Sequence, residues 1–199
     1  MDDSIWTGTL SSFRERVASP DPVPAGVSSA AVSATFALGL LTKVLAICVR
    51  RKNFAGDPKR VAAIIEAAQR ESAILERAAD QDIAAFEHYM KSRALGQPDL
   101  GPAIEIPLEA IRSAARGLDL CSEAAGLVHA FVAADLGAAA TLLASAIEAM
   151  RLSVDFNLRQ LPSGKASSNI ASESQQLVEG ARHQAQEIRR RIAEIIASR

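Results

Sequence analysis

Apolar and polar residues follow two different rhythms along this chain. In residues 27–49 and 124–147 the apolar positions are nearly continuous, as VSSAAVSATFALGLLTKVLAICV and AAGLVHAFVAADLGAAATLLASAI. Elsewhere they recur every three or four positions, the period of one helix face. One such series runs through Val61, Ile64, Ile65, Ala68, Ile74 or Leu75, Ala78, Ala79, Ile83 and Phe86. Another takes Ile170, Ser174, Leu177, Ala181, Ala185, Ile188, Ile192 and Ile195. The pattern predicts about six helices separated by Pro/Gly breaks. The first covers residues 5–17 and ends at ASPDPVPAG; the second runs from Ser28 to residue 50, with Ser28 or Ser29 offering the N-cap oxygen. Asp57 followed by Pro58 opens the third, a cap with proline at the first helical position, which extends to residue 95 with a bend near 79–81. Pro107 opens the fourth after the loop LGQPDLGPAIEIP, the fifth covers 133–161, and the last follows LPSGKASSN. No repeat or composition shift divides the chain. The expected fold is all-α, a single-domain helical bundle over residues 1–199 with long apolar central helices.

Both continuous stretches are long enough to span a bilayer. One carries Lys43, the other His129 and Asp135, and a charge within hydrocarbon is costly. They read as helices buried among other helices, with no membrane partner. Composition supports helices too: hydrophobic residues make up 49% but aromatic ones only 4%, and alanine and leucine favour helix. The 22 basic and 23 acidic residues leave a net charge of -1, which argues against a nucleic-acid partner bound by phosphate neutralisation. The clusters Arg50–Lys52 and Arg189–Arg191 read as solvated helix surface. Cys48 and Cys121 stand apart in apolar contexts, the pattern of two buried thiols in a reducing compartment. MDDSIW has no basic, apolar leader pattern, so the expected location is cytoplasmic.

His88, His129 and His183 lack metal-ligand spacing, so no metal is expected. There is no phosphate-cradling glycine loop and no serine nucleophile elbow. In a bundle, function sits on polar residues that interrupt apolar stripes. Four do so: Asp82, His129, Asp135 and Asn157. Each has a plainer alternative: Asp82 as part of the solvated run ADQD, His129 as a satisfied buried histidine, Asp135 as a helix cap, and Asn157 as a partner for neighbouring backbone.

The order of particular motifs resembles the cyclodeaminase/cyclohydrolase family, which includes the cyclodeaminase part of formiminotransferase-cyclodeaminase and stand-alone methenyltetrahydrofolate cyclohydrolases. Pro24, Ala25, Gly26, Val27 and Ser28 stand where that family has Pro-Gly-Gly-Gly-Ser before a small-residue helix. RRKNF (residues 50–54) matches a basic, aromatic-bearing stretch, and DIAAF (82–86) an Asp-x-x-Ala-Phe signature. ADLGAAA and SVDFN match in part a Ser-Asp-Gly-Ala element and a late pair of asparagines. The resemblance covers nearly the whole chain. It departs at Ala25 and Val27 (glycines), Ala46 and Ser153 (asparagines), Val128-His129 (Gly-Asn), Ala134 (serine), and ALGQPD in place of a Leu-Pro-Lys element. Val27 in particular adds a branched side chain where close backbone approach is wanted.

The resemblance implies a folate-type small-molecule substrate, no cofactor, and a homodimer with sites near the subunit interface. It implies hydrolysis of 5,10-methenyltetrahydrofolate to 10-formyltetrahydrofolate. The alternatives are cyclisation of 5-formiminotetrahydrofolate with loss of ammonia, a changed substrate, or a non-catalytic binding role. Carried over residue by residue, Asp82 is the implied general base and electrostatic partner of the amidinium, with Phe86 walling the pocket. Gly26 and Ser28 let backbone and hydroxyl approach the ligand. Lys52 contacts the folate tail or a reacting heteroatom, Asp135 and Asn157 bind the pterin, and His129 is a polar contact.

Overall fold

The computed structural model describes residues 4–162 and 164–198. The described residues form an all-α bundle of six helices without strands. They are α1 (Leu10–Ala18), α2 (Gly26–Val49), α3 (Pro58–Ala94), α4 (Gly101–Ala124), α5 (Ala133–Leu158) and α6 (Lys165–Ala197). The apolar helices α2 and α5 lie side by side, flanked by α3 on one side and α6 on the other, and α4 packs across the group. Leu38, Leu41 and Leu45 of α2, Leu108, Ile111 and Leu118 of α4, and Leu136, Leu143, Ile147 and Met150 of α5 fill one core. By length and composition α2 and α5 are long and apolar enough to cross a membrane; here they form the centre of the bundle.

Several boundaries differ from the expected ones, each for a physical reason. The first predicted helix is two pieces, a 3-10 turn at Ile5–Thr7 and then α1, because the extended backbone at Gly8 separates two capped starts. Ser4 accepts from Trp6 N–H and Thr9 from Ser12 N–H. The third helix begins as expected, with the Asp57 side chain accepting from Lys59 N–H, but continues unbroken to Ala94. At about 1.5 Å per residue it is roughly 55 Å long. Pro107 does not open α4. The helix starts at Gly101, whose N–H is taken by the Asp99 carboxylate at 2.9 Å, and Pro107 lies inside it. The fourth helix, expected to run to residue 128, stops at Ala124, and the fifth, expected to run to 161, stops at Leu158; each is followed directly by a turn, at 125–127 and 159–160.

The second helix starts two residues early, at Gly26. Its N-cap, Ala25, has no side chain to offer. Ser28 and Ser29 are therefore inside the helix, and the Ser28 side chain is fully buried. Val27 is also in the core, 4% exposed.

Small residues set the helix spacing. A methyl group added at Gly117 of α4 would stand 3.0 Å from Leu38 and 3.3 Å from Leu143. Gly117→Val forces larger displacements, and overpacking of this kind costs about 1–3 kcal/mol. A urea titration should show a lower midpoint with an unchanged slope; a midpoint equal to wild type would contradict this packing.

Candidate active site

The sequence ADQD contributes two carboxylates to two different jobs. Residues two apart on a helix point about 200° apart. Asp80 holds the N-terminal segment: its oxygens accept from Ser4 Oγ at 2.7 Å and Ile5 N–H at 2.9 Å. Asp82 turns toward the start of α2. Its carboxylate accepts from Ser28 Oγ at 3.0 Å, and from Ser28 backbone. Asp82 thus caps, from another helix, the N-terminus that Ala25 leaves uncapped. The first-turn N–H groups of a helix are orphan donors and carry partial positive charge, so a carboxylate suits the position.

Ser28 Oγ also lies 2.9 Å from Ala79 C=O. A hydroxyl has one proton to donate. When Asp82 is ionised, that proton serves the carboxylate. When Asp82 is protonated, Asp82 donates to Ser28 and Ser28 donates to Ala79. Burial pushes the Asp82 carboxyl above its ordinary value of 3.8, and the hydrogen bonds from Ser28 oppose that rise without cancelling it.

Asp82 opens onto a cleft of about 610 Å³ between the α1–α2 loop, α3, the α3–α4 loop and the C-terminal part of α5. That volume suits a drug-sized organic ligand. From α3 the cleft takes Asp82, Phe86, Tyr89 and Arg93, one stripe at spacings of four, three and four. From α5 it takes Ser153 and Asn157, one face, and from the turn that follows it takes Gln160. Phe86, Leu100, Leu152 and Phe156 make the walls apolar, fit to sandwich a flat ring. Asn157 donates from Nδ2 to Ala103 C=O at 2.8 Å, and Tyr89 OH donates to Gln160 Oε1 at 3.2 Å. Gly26 also lines the cleft, and a methyl added there would meet no atom within 4 Å.

So Gly26, Asp82, Phe86 and Asn157 converge on one cleft, with Ser28 behind Asp82. The other named residues do not. Asp135 lies in the first turn of α5 and pairs with Lys43 Nζ at 2.8 Å; it is not the cap. Lys43 is fifteen residues along α2 from Ser28, about 22 Å at 1.5 Å per residue. His129 sits further on, its backbone N–H donating to Cys48 Sγ at 3.3 Å. It lines a second cavity of about 330 Å³ with Arg51, Asn53 and Phe54. Lys52 is exposed in the turn after α2 and lines neither cavity. The expected residues thus divide between the two ends of α2.

Tyr89, Arg93 and Gln160 were not anticipated. The signal was available for two of them: Tyr89 and Arg93 continue the face of Asp82 and Phe86, whereas Gln160 lies in the turn that follows α5. Burial pushes the Cys121 thiol up to about 12, which leaves it an unreactive core residue. Among the described residues no three His, Cys, Asp or Glu side chains group as metal ligands.

A family model described as formiminotransferase-cyclodeaminase matches residues 9–176. Among solved structures, one described as formiminotetrahydrofolate cyclodeaminase from Thermotoga maritima superposes with a TM-score of 0.82 at 20% sequence identity, covering 98% of each chain. At that identity the likeness speaks for the fold. No curated protein matches in sequence.

The raised Asp82 carboxyl has a consequence for stability. The folded chain holds this proton more tightly than the unfolded chain, so its contribution is favourable below the ordinary value of 3.8 and is lost as pH rises through the raised one. Asp82→Asn removes that loss. Relative to wild type, the variant should gain stability as pH rises from about 4 through neutrality, read as urea midpoints across a pH series. Wild type gaining on the variant over that range would contradict the assignment.

Proposed function

The chain belongs to the formiminotransferase-cyclodeaminase family, and from that premise we propose that it transforms a one-carbon unit bridging two nitrogens of a tetrahydrofolate, with Asp82 as the proton-transfer group. The observation that carries the proposal is a half-buried carboxylate of raised proton affinity on the wall of an apolar cleft. Burial of this kind moves a carboxyl toward the working pH, where a general acid–base group is most effective. Ionised, it also offsets the positive charge of an amidinium.

In the hydrolytic reading, water adds to the methenyl carbon of 5,10-methenyltetrahydrofolate while Asp82 takes its proton. The tetrahedral carbon then breaks its bond to N5, which receives the proton back from Asp82 while the hydroxyl proton passes to solvent as the formyl C=O forms, and 10-formyltetrahydrofolate leaves. In the deaminating reading, N10 attacks the carbon of the protonated formimino group of 5-formiminotetrahydrofolate and gives its proton to Asp82, which passes it to the amino nitrogen as the C–N bond breaks and ammonia leaves. The name of the Thermotoga maritima structure favours this second reading. Both use one carboxylate, one tetrahedral carbon and no cofactor. Gly26 gives the ligand access to the first turn of α2. Phe86 and Phe156 stack on its ring, Asn157 reads the pterin edge, and Arg93 is a cation at the rim for the glutamate tail.

The proposal includes a homodimer. One face of α2 and α5 is left unpacked, and it carries Phe36, Leu142, Leu152 and Phe156 among small residues. A second copy docked there by a two-fold axis across the middle of α2 runs antiparallel. The start of α2 in one copy then lies beside the end of α2 in the other. The Asp82 cleft would receive Lys52, His129 and Asp135 from the partner copy, which accounts for their separation within one chain. Two free, buried thiols agree with a cytoplasmic location.

Two assays separate the readings: loss of the 5,10-methenyltetrahydrofolate absorbance, and ammonia release from 5-formiminotetrahydrofolate. One should exceed the uncatalysed rate, and Asp82→Asn should abolish it. Acceleration of neither by folded protein sinks the proposal, and an active Asp82→Asn variant removes Asp82 from its role. Gly26→Ala should keep or raise thermal stability, since alanine is the better helix former by up to about 1 kcal/mol, while weakening substrate binding. Phe36→Glu should give folded monomers of low activity by sedimentation and assay. A fully active monomer would overturn the shared site.

A further inference from the structure

Pro107 and Asn157 are brought together by a missing hydrogen bond. In an α-helix the N–H of residue 107 donates to the C=O of residue 103. Proline has no N–H, and its ring presses on that same carbonyl. Ala103 C=O is therefore released from the helical ladder inside α4, half-buried at the cleft wall. Its partner is instead the Asn157 side chain of α5, which donates from Nδ2 at 2.8 Å.

We propose that Pro107 is a positioning residue that fixes the Asn157 amide with its nitrogen on α4 and its oxygen directed to the ligand. A backbone carbonyl only accepts, so Asn157 must present its nitrogen to Ala103. The amide is planar, which aims the oxygen the other way. Among the described residues that oxygen has no hydrogen-bond partner. Gln160 is a useful contrast. Its partner, Tyr89 OH, both donates and accepts, so that amide is free to turn over. Asn157 is thus the fixed acceptor of the cleft, and with the Asp82 carboxylate it selects a ring edge that donates N–H. Proline at this position does not cap or start a helix; it sets the polarity of a binding group one helix away. The inference rests on the proposed reading of this cleft as the ligand site.

The test is a double-mutant cycle with two readouts. Pro107→Ala restores the N–H at residue 107 and returns Ala103 C=O to the helix. It should fold with undiminished thermal stability, since an interior proline is removed. It should bind 5-formyltetrahydrofolate, a stable folate probe, roughly tenfold more weakly, the worth of one oriented hydrogen bond. In turnover it should raise KM more than it lowers kcat. Asn157→Ala should lower the folding equilibrium constant roughly tenfold or more beside Pro107, where a carbonyl is left unsatisfied, and much less beside Ala at position 107. Equal costs of Asn157→Ala in both backgrounds, or wild-type probe affinity in Pro107→Ala, overturns the proposal. If no protein in the set binds the probe, wild type included, while the stability coupling is present, the positioning stands and the folate reading falls.

Discussion

The start of α2 cannot satisfy itself. Ala25 has no capping atom, and Ser28 is fully buried among apolar neighbours. The Asp82 carboxylate, fifty-four residues away in the chain, supplies what both lack. In return the buried hydroxyl and the helix N-terminus hold a charge that burial alone would reject. This contact fixes how α2 and α3 cross at one end, and it fixes the position of the cleft. It also leaves Asp82 with two well-hydrogen-bonded states, because Ser28 can turn its proton to the carboxylate or to Ala79 C=O. A group that is satisfied in both states transfers a proton with little rearrangement of its surroundings.

The rest of the arrangement follows from α2 being apolar along nearly its whole length. A helix of this kind must be buried, and its polar business is pushed to its ends. Ser28 and Asp82 hold one end. Lys43 with Asp135, then Cys48 with His129, hold the other. The apolar core between them, with Gly117 of α4 in close approach, acts as a fixed spacer. The exposed stripe of α2 and α5 runs along the same spacer.

Much of this fold was legible in the sequence, because helix periodicity and start signals are local. The stripe through Val61 and Ile64 and the Asp57-Pro58 start needed no distant partner to be read. Pro107 was misread for the same reason. As a local signal it marks a helix start; inside α4 it frees the Ala103 carbonyl, which is taken by Asn157, fifty-four residues on from Ala103. The site was legible only in part. Gly26, Ser28, Asp82, Phe86 and Asn157 lie around one cleft, but a linear motif order does not say at which end of a long helix each residue falls. That is why Lys52, His129 and Asp135 stand apart from them in a single chain. The loop substitution Val27 looked obstructive from the sequence; the helix begins one residue before it, and Val27 is both a core residue and part of the cleft wall.

The central claim is that burial holds the Asp82 carboxyl above the ordinary aspartate value while Ser28 restrains the rise. Carbon-detected NMR of the side-chain carboxyl, titrated in wild type and in Ser28→Ala, measures it directly. The account predicts a midpoint above 3.8 in wild type and a higher one once the hydroxyl is gone. A wild-type midpoint at or below 3.8, or a Ser28→Ala midpoint that falls, would contradict it.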